Sequence, residues 1–392
     1  MIPPNFVLAF TLAAYQVLAP FFQEDFGLSL GSVGLVAGAT QIGMAITSLG
    51  VGWLSDRMGW LRLLFLGQVV MAAAVLGSTR TGSFTILYIM VLIAGMAGAA
   101  INPATSKAVV YWFSRNKRGT AIAAMKTGIT LGRSSAPAIL PALALWAGWR
   151  WAVALVAVVA VAWAVAGQIL GRKVPETQNG SGNGHERSGI DMKALFRNRG
   201  LLLICGTGLI FIGSQVTVST YFILYLHNVL GYTLLAASGT LAVAQFLGVG
   251  GQLLWGFLGD RYFAANRKIP TILMGGIGAA SLLFLGLFPK GGPPALLLGI
   301  AVVIGTMIYS WSGTLTIMRA EAVPKRMAGT AVGLGGVTSG IGAFTIPPLF
   351  GTAVDLTGSY RLAWMMLVGL ILLGAALITA LPAAAQKDEP GA

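Results

Sequence analysis

The sequence predicts an all-α membrane protein, with twelve transmembrane helices arranged as two pseudo-symmetric six-helix halves. Three observations carry this. Only 9% of the 392 residues are charged, 56% are hydrophobic and the mean hydropathy is +0.82, whereas a soluble domain has about 25% charged residues. The apolar residues gather into twelve runs near the ~20 residues that a spanning helix needs. Features of the first six runs recur in the last six.

The runs lie at roughly 3–22, 33–54, 62–79, 84–111, 119–145, 150–170, 200–226, 233–258, 270–288, 294–318, 328–352 and 362–384. The first begins almost at Met1 and lacks the basic flank of a signal peptide, so it reads as a span. Glycine is abundant, at 54 residues, and small residues let membrane helices approach closely. The longest polar segment contains Gln178-Asn-Gly-Ser-Gly-Asn-Gly184, a flexible-linker composition. The expected organisation is a six-helix half over 1–170, a cytoplasmic linker loop over 171–199, and a second half with a short cytoplasmic tail over 200–392.

A net charge of +14 in a soluble protein would point to nucleic acid. Its distribution points instead to topology. With the N-terminus inside, the cytoplasmic segments collect Arg57, Arg62, Arg115, Lys117, Arg118, Arg172, Lys173, Arg187, Lys193, Arg197, Arg199, Arg261, Arg267, Lys268, Lys325 and Arg326. The other side has only Arg80, Arg150, Lys290 and Arg361. Positive charge marks the cytoplasmic face, so both termini are expected there, in a plasma or inner membrane, with no nucleic-acid partner. One cysteine, Cys205, excludes an intrachain disulfide. With two histidines, no structural metal site is expected, and no cofactor.

The halves resemble each other in detail. Gly52-Trp-Leu-Ser-Asp56-Arg57 recurs as Gly256-Phe-Leu-Gly-Asp260-Arg261, and Gly119-Thr-Ala-Ile recurs as Gly329-Thr-Ala-Val. At the same offset of 210, Gly132 meets Gly342 and Pro137 meets Pro347. Gly148-Trp-Arg150 answers to Ser359-Tyr-Arg361. Parallel six-helix repeats are a transporter plan with the ligand site between the halves, near the midplane.

On these residues the chain resembles the major facilitator superfamily of secondary transporters over nearly its whole length. The family's signature, G-x-L-x-D-R-x-G-[RK]-[RK], is met by Gly52, Leu54, Asp56, Arg57 and Gly59, while Trp60 and Leu61 depart from its basic pair. The resemblance implies that Asp56 and Arg57 help to latch the cytoplasmic side. Asp260, Arg261 and Arg118 are grouped with them as gating or structural residues. Asn102-Pro-Ala-Thr-Ser-Lys107, Tyr111-Trp-Phe113 and Arg118-Gly-Thr-Ala look like the organic-anion branches: anion–cation symporters, monocarboxylate and oxalate–formate types.

Three cations, Lys107, Lys126 and Arg133, sit in apolar runs that hold no Asp or Glu at that depth. Each unpaired charge at mid-membrane costs about 2.5–3.5 kcal/mol, so an anionic ligand is the expected compensation. The repeat sharpens this reading, since at the offset of 210 they face Ile317, Gly336 and Ala343. Lys126 and Arg133 are seven residues apart, hence on one helix face about 10 Å apart. Alternatively, Lys126 snorkels to the cytoplasm and Arg133 bonds backbone carbonyls. Lys107 lies near a span end, and Arg319, beside Glu321, reads as an interfacial anchor. Tyr15, Gln16, Asn102, Gln215, Tyr221, Gln245 and Tyr309 are polar candidates to complete a substrate site, or to bridge helices. In the family, spans 1, 4, 7 and 10 line the cavity. Trp311 reads as packing, and Trp149 and Trp151 as an interfacial belt.

Glu24, Asp25, Asp355 and His227 fall at span ends and read as solvated. A site of cations alone fits proton symport or exchange against a counter-anion. The expected protein is a monomeric, multi-pass carrier of a small organic anion, a mono- or dicarboxylate. The alternative is an exporter of drugs or other hydrophobic compounds, whose G-P-x-x-G-P motif is only partly matched by Gly132-Arg-Ser-Ser-Ala-Pro137. No nucleophile–base pair or phosphate loop suggests an enzyme.

Overall fold

The structure, a computed structural model, describes residues 2–112, 114, 118–171, 192–263, 266–324 and 327–381. Among the described residues sixteen helices follow one another: α1 (Ile2–Val17), α2 (Ala19–Phe26), α3 (Leu30–Met58), α4 (Trp60–Ser78), α5 (Phe84–Gly98), α6 (Ile101–Trp112), α7 (Arg118–Ala147) and α8 (Trp149–Gly171), then α9 (Met192–Arg197), α10 (Arg199–Asn228), α11 (Leu234–Arg261), α12 (Lys268–Gly286), α13 (Pro294–Ile308), α14 (Trp311–Glu321), α15 (Ala328–Thr357) and α16 (Tyr360–Thr379). Ten stretches are long and apolar enough to cross a membrane, eleven with the bent pair α1–α2. α7, at 30 residues, is long enough for a twelfth, but Lys126, Arg133 and its interior Pro137 and Pro141 dilute its hydropathy.

Three of the expected spans are broken. α1 and α2 meet at 49°, with a proline in the first turn of α2; proline lacks an N–H and favours such a start. The other breaks fall at Ala99–Ala100 and at Tyr309–Ser310. They stand at the same offset of 210 that relates Gly119 to Gly329, so the internal repeat extends to the bends.

Helices α1 and α4–α8 pack chiefly within a first group that also holds α3, and α10–α16 within a second, whereas α3 meets α15 of the second group more extensively than any helix of its own. Across the two groups the main contacts are α3 on α15, α7 on α11 and α1 on α10. The α3–α15 seam is tight at the end bearing Leu30. There a Cβ added at Gly34 would lie 2.5 Å from Pro348 N, and one at Gly351 2.3 Å from Leu30 O. Tyr221 of α10 donates its hydroxyl into the same seam, with Leu30 O at 2.7 Å and Pro347 O at 3.0 Å. Asp355 of α15 accepts from the backbone N–H groups of Leu30 (3.0 Å) and Gly31 (2.8 Å). It thereby caps the α3 N-terminus, where a carboxylate meets the positive end of the helix dipole.

Toward the opposite end, which carries Arg57, Arg261 and Arg267 and is here called the basic end, the two helices diverge. Gly50 on α3 and Gly329, Gly333 and Gly336 on α15 have open space where a Cβ would stand. One face of the helical bundle is therefore sealed by backbone-to-backbone packing, and the seam opens toward the other.

Candidate functional site

α7 is held against α1 by two glycines one turn apart. A Cβ at Gly128 would lie 2.5 Å from Ile2 O, and one at Gly132 2.2 Å from Phe6 O. With Gly128 and Gly132 fixed on α1, the next face round the helix (Ile129, Thr130, Arg133, Ser134) turns inward. These four residues form one wall of a cavity of about 230 Å³. The other wall is Ile212 and Gln215 of α10, Gln245, Gly248 and Gln252 of α11, Tyr309 at the α13–α14 break, and Ser312 of α14.

The walls differ in chemistry. Among the described residues, Arg133 is the one charged group lining the cavity, and it is half-buried. Among the described residues, no carboxylate or other acceptor bonds its guanidinium. The facing groups are neutral amides and hydroxyls locked into a network. Tyr309 Oη and Ser219 Oγ are 2.8 Å apart, and Gln245 Nε2 donates to Ser219 Oγ at 3.4 Å. Gln252 Nε2 donates to Tyr309 O at 3.0 Å, satisfying a carbonyl at the helix break. Trp311, fully buried and stacked on Phe211 at 4.1 Å, donates its indole N–H to Gln215 Oε1 at 3.2 Å. Gln245 Oε1 is buried and has no partner among the described residues.

The cavity thus brings together four of the residues singled out from sequence: Arg133, Gln215, Gln245 and Tyr309. Lys126 is exposed, two turns nearer the basic end on the same helix. Lys107 is half-buried on α6, and Asn102, also on α6, has a buried Oδ1 without a partner; neither lines this cavity. Gln16 is buried on α1 away from the lining. Tyr15 is engaged elsewhere, bonded to Ser78 Oγ at 3.0 Å and stacked on Phe22, and Tyr221 belongs to the seam. Thr130, Ser134, Gln252 and Ser312 escaped the sequence reading. Gln252 had a signal, since it follows Gln245 by seven residues and so shares its face.

At the basic end, Asp260 pairs with Arg267 at 3.1 Å, and Arg267 also pairs with Glu321 at 3.1 Å. Arg261 instead stacks beside Phe257 and Tyr262. Arg57 is exposed, while the side chains of Asp56 and Arg118 lie outside the described residues, as does most of the linker. Two expectations are corrected. Arg319 is 6% exposed and not an interfacial anchor, since Glu321 is taken by Arg267 and glycines on α10 and α15 admit the guanidinium. Asp355 and Asp25 are exposed, as expected of span-end charges, and each also has a partner: Asp355 caps α3, and Asp25 holds Arg150 at 2.9 Å. Trp149 is buried, edge-on to Phe22 and donating to Asp25, whereas Trp151 is exposed as a belt residue is.

Two packed groups of apolar helices, ten or eleven of them long enough to cross a membrane, surround a polar cavity, the architecture of a multi-pass membrane protein. The chain belongs to the Major Facilitator Superfamily, whose family model matches residues 5–347. It is 25% identical to the probable sulfoacetate transporter SauU of Cupriavidus necator, over 92% of this chain and 87% of that one. It is 27% identical to the probable L-galactonate transporter of Escherichia coli, over 87% of this chain and 79% of that one. The fold matches the crystal structure of a D-xylose–proton symporter with a TM-score of 0.80 at 15% identity, covering 97% of this chain and 96% of that one.

Proposed function

We propose that this protein is a secondary active transporter of a small organic anion, working by alternating access from the Arg133 cavity. The observation that carries the reading is a guanidinium in a membrane-embedded cavity, with no protein acceptor among the described residues and neutral polar groups opposite. An unpaired cation at that depth is costly, and a bound carboxylate or sulfonate relieves it by bidentate hydrogen bonding. The amide and hydroxyl wall then receives the rest of the ligand. A cavity of about 230 Å³ lies below the roughly 300–1,000 Å³ of typical drug-sized pockets, which favours a compact acid over a lipophilic drug. Relatives named for sulfoacetate and L-galactonate support an anionic substrate.

The basic end faces the cytoplasm in this reading, by the positive-inside bias, in an inner or plasma membrane. The sealed Leu30–Asp355 end then makes this an inward-open arrangement. A site whose charged group is a cation fits anion exchange, or symport in which substrate and proton travel together. The chain acts as a monomer, with halves 1–170 and 200–392 rocking about the cavity.

The test is purified protein screened by thermal shift against sulfoacetate, galactonate, glucuronate and short mono- and dicarboxylates, with sulfate as control, followed by uptake into proteoliposomes. Ligands that bind the folded state raise its midpoint by mass action. Uptake of a carboxylate or sulfonate that Arg133→Gln abolishes supports the reading. Uptake unchanged in Arg133→Gln, or stabilisation by lipophilic cations and by no anion, overturns it.

A further inference from the structure

Arg319 is a second buried cation that the cavity does not use. On α14 it is 6% exposed; its Nη2 donates to Ser339 Oγ at 3.0 Å, and its Nε is buried without a partner. The last turn of α14 gives it helix-dipole support, but no carboxylate among the described residues faces it. Room is kept for it on two neighbouring helices. A Cβ at Gly208 of α10 would fall 1.7 Å from Nη2, and one at Gly335 of α15 2.3 Å from Nε. The fold itself does not require a charge here, because the repeat position is Val109, fully buried.

Its place along the pathway is specific. Ser312 lines the cavity, and Arg319 follows it by seven residues on the same straight helix, about 10 Å nearer the basic end. Lys126 stands in the same relation to Arg133 on α7. The two walls of the cavity therefore each lead, after two turns, to a cation.

We propose that Arg319 is a second anion-binding group, which takes up the transported carboxylate or sulfonate as it passes between the Arg133 cavity and the basic end. It rests on the anion-transport reading above. When the anion arrives, the guanidinium exchanges its neutral contacts in the glycine notch for a charged partner, with Lys126 as the facing charge.

The chain supplies its own reporter. Cys205, its one cysteine, is buried on α10 one turn before Gly208, the glycine that admits the Arg319 guanidinium. An anion on Arg319 removes the cation facing the thiol and slows its alkylation. The experiment measures N-ethylmaleimide modification of Cys205 in proteoliposomes, with and without galactonate or sulfoacetate. The expected result is slowing by about fivefold in wild type and equally in Arg133→Gln, none in Arg319→Gln, and partial slowing in Arg319→Lys. Slowing that disappears in Arg133→Gln, slowing that survives in Arg319→Gln, or none in wild type that takes up either anion overturns the proposal. If Arg319→Gln fails to fold, the wild-type and Arg133→Gln arms still decide. Absence of any anion uptake or thermal shift in wild type is a separate failure, of the transport reading itself.

Discussion

α7 and its repeat mate α15 open on nearly the same residues, Gly119-Thr-Ala-Ile and Gly329-Thr-Ala-Val, run for 30 residues each and hold prolines past their middles. In between they diverge. Where α7 carries Lys126 and Arg133, α15 carries Gly336 and Ala343. Ala343 is fully buried, and a Cβ at Gly38 would lie 3.0 Å from its carbonyl, while one at Gly342 would lie 1.9 Å from Leu209 O. One helix presents charge to a cavity; the other has given up side chains to let α3 and α10 close on it. The same scaffold position thus carries charge in one half and closes a helix seam in the other, and a duplicated fold holds both without changing its outline.

The largest effect is expected from forcing α15 to imitate α7. Ala343→Arg places a long cation where the α3 backbone already touches, combining overpacking with a buried charge. Little folded protein should be recovered, as read by size-exclusion chromatography in detergent. The reverse exchange, Arg133→Gln, should keep the fold and hold or raise the thermal midpoint, since an unpartnered charge is removed, while anion uptake falls by about 100-fold. A folded Ala343→Arg, or an Arg133→Gln that misfolds, would erase the division of labour.

Gly34→Val comes next. Its side chain would meet Pro348 N and the Tyr221 hydroxyl, costing about 1–3 kcal/mol. The Leu30–Asp355 end, closed in the wild-type structure, should be forced open, read as faster modification of a cysteine placed at Thr352. Gln252→Ala frees the Tyr309 carbonyl and should raise the uptake KM by about fivefold, matching one hydrogen bond of ~1 kcal/mol. The smallest change is Asp355→Asn. It weakens the α3 cap by about 0.5–1 kcal/mol, seen as a modest shift toward the far-end-open population in the same labelling assay.

Much of this was legible in the chain. Span positions follow from apolar runs because a membrane leaves the backbone no alternative to helix. Arg133 stood out because a lone charge in such a run needs a reason, and helical phase placed Lys126 on its face. What local reading missed depends on partners distant in sequence. Arg319 lies two residues before the end of its helix and resembles an anchor. Only the approach of Gly208 and Gly335 shows that it has a place inside. Asp355 stays exposed, as the chain suggests, but its part as a cap shows only when the N-terminus of α3, 325 residues away in the chain, is brought against it. The break at Tyr309–Ser310 carries no proline, yet the repeat would have transferred it from Ala99–Ala100, where Pro103 follows closely.

The glycine seam between α3 and α15 has a kinetic meaning. Surfaces without side chains have no rotamers to freeze when they meet and none to release when they part, so joining them carries almost none of the ordering entropy that other interfaces incur. Contact is made by main chain whose shape is the same in both states. Such a joint is expected to open and shut quickly and in a single register. The pace of turnover then falls to the cations and their cargo rather than to the hinge they share.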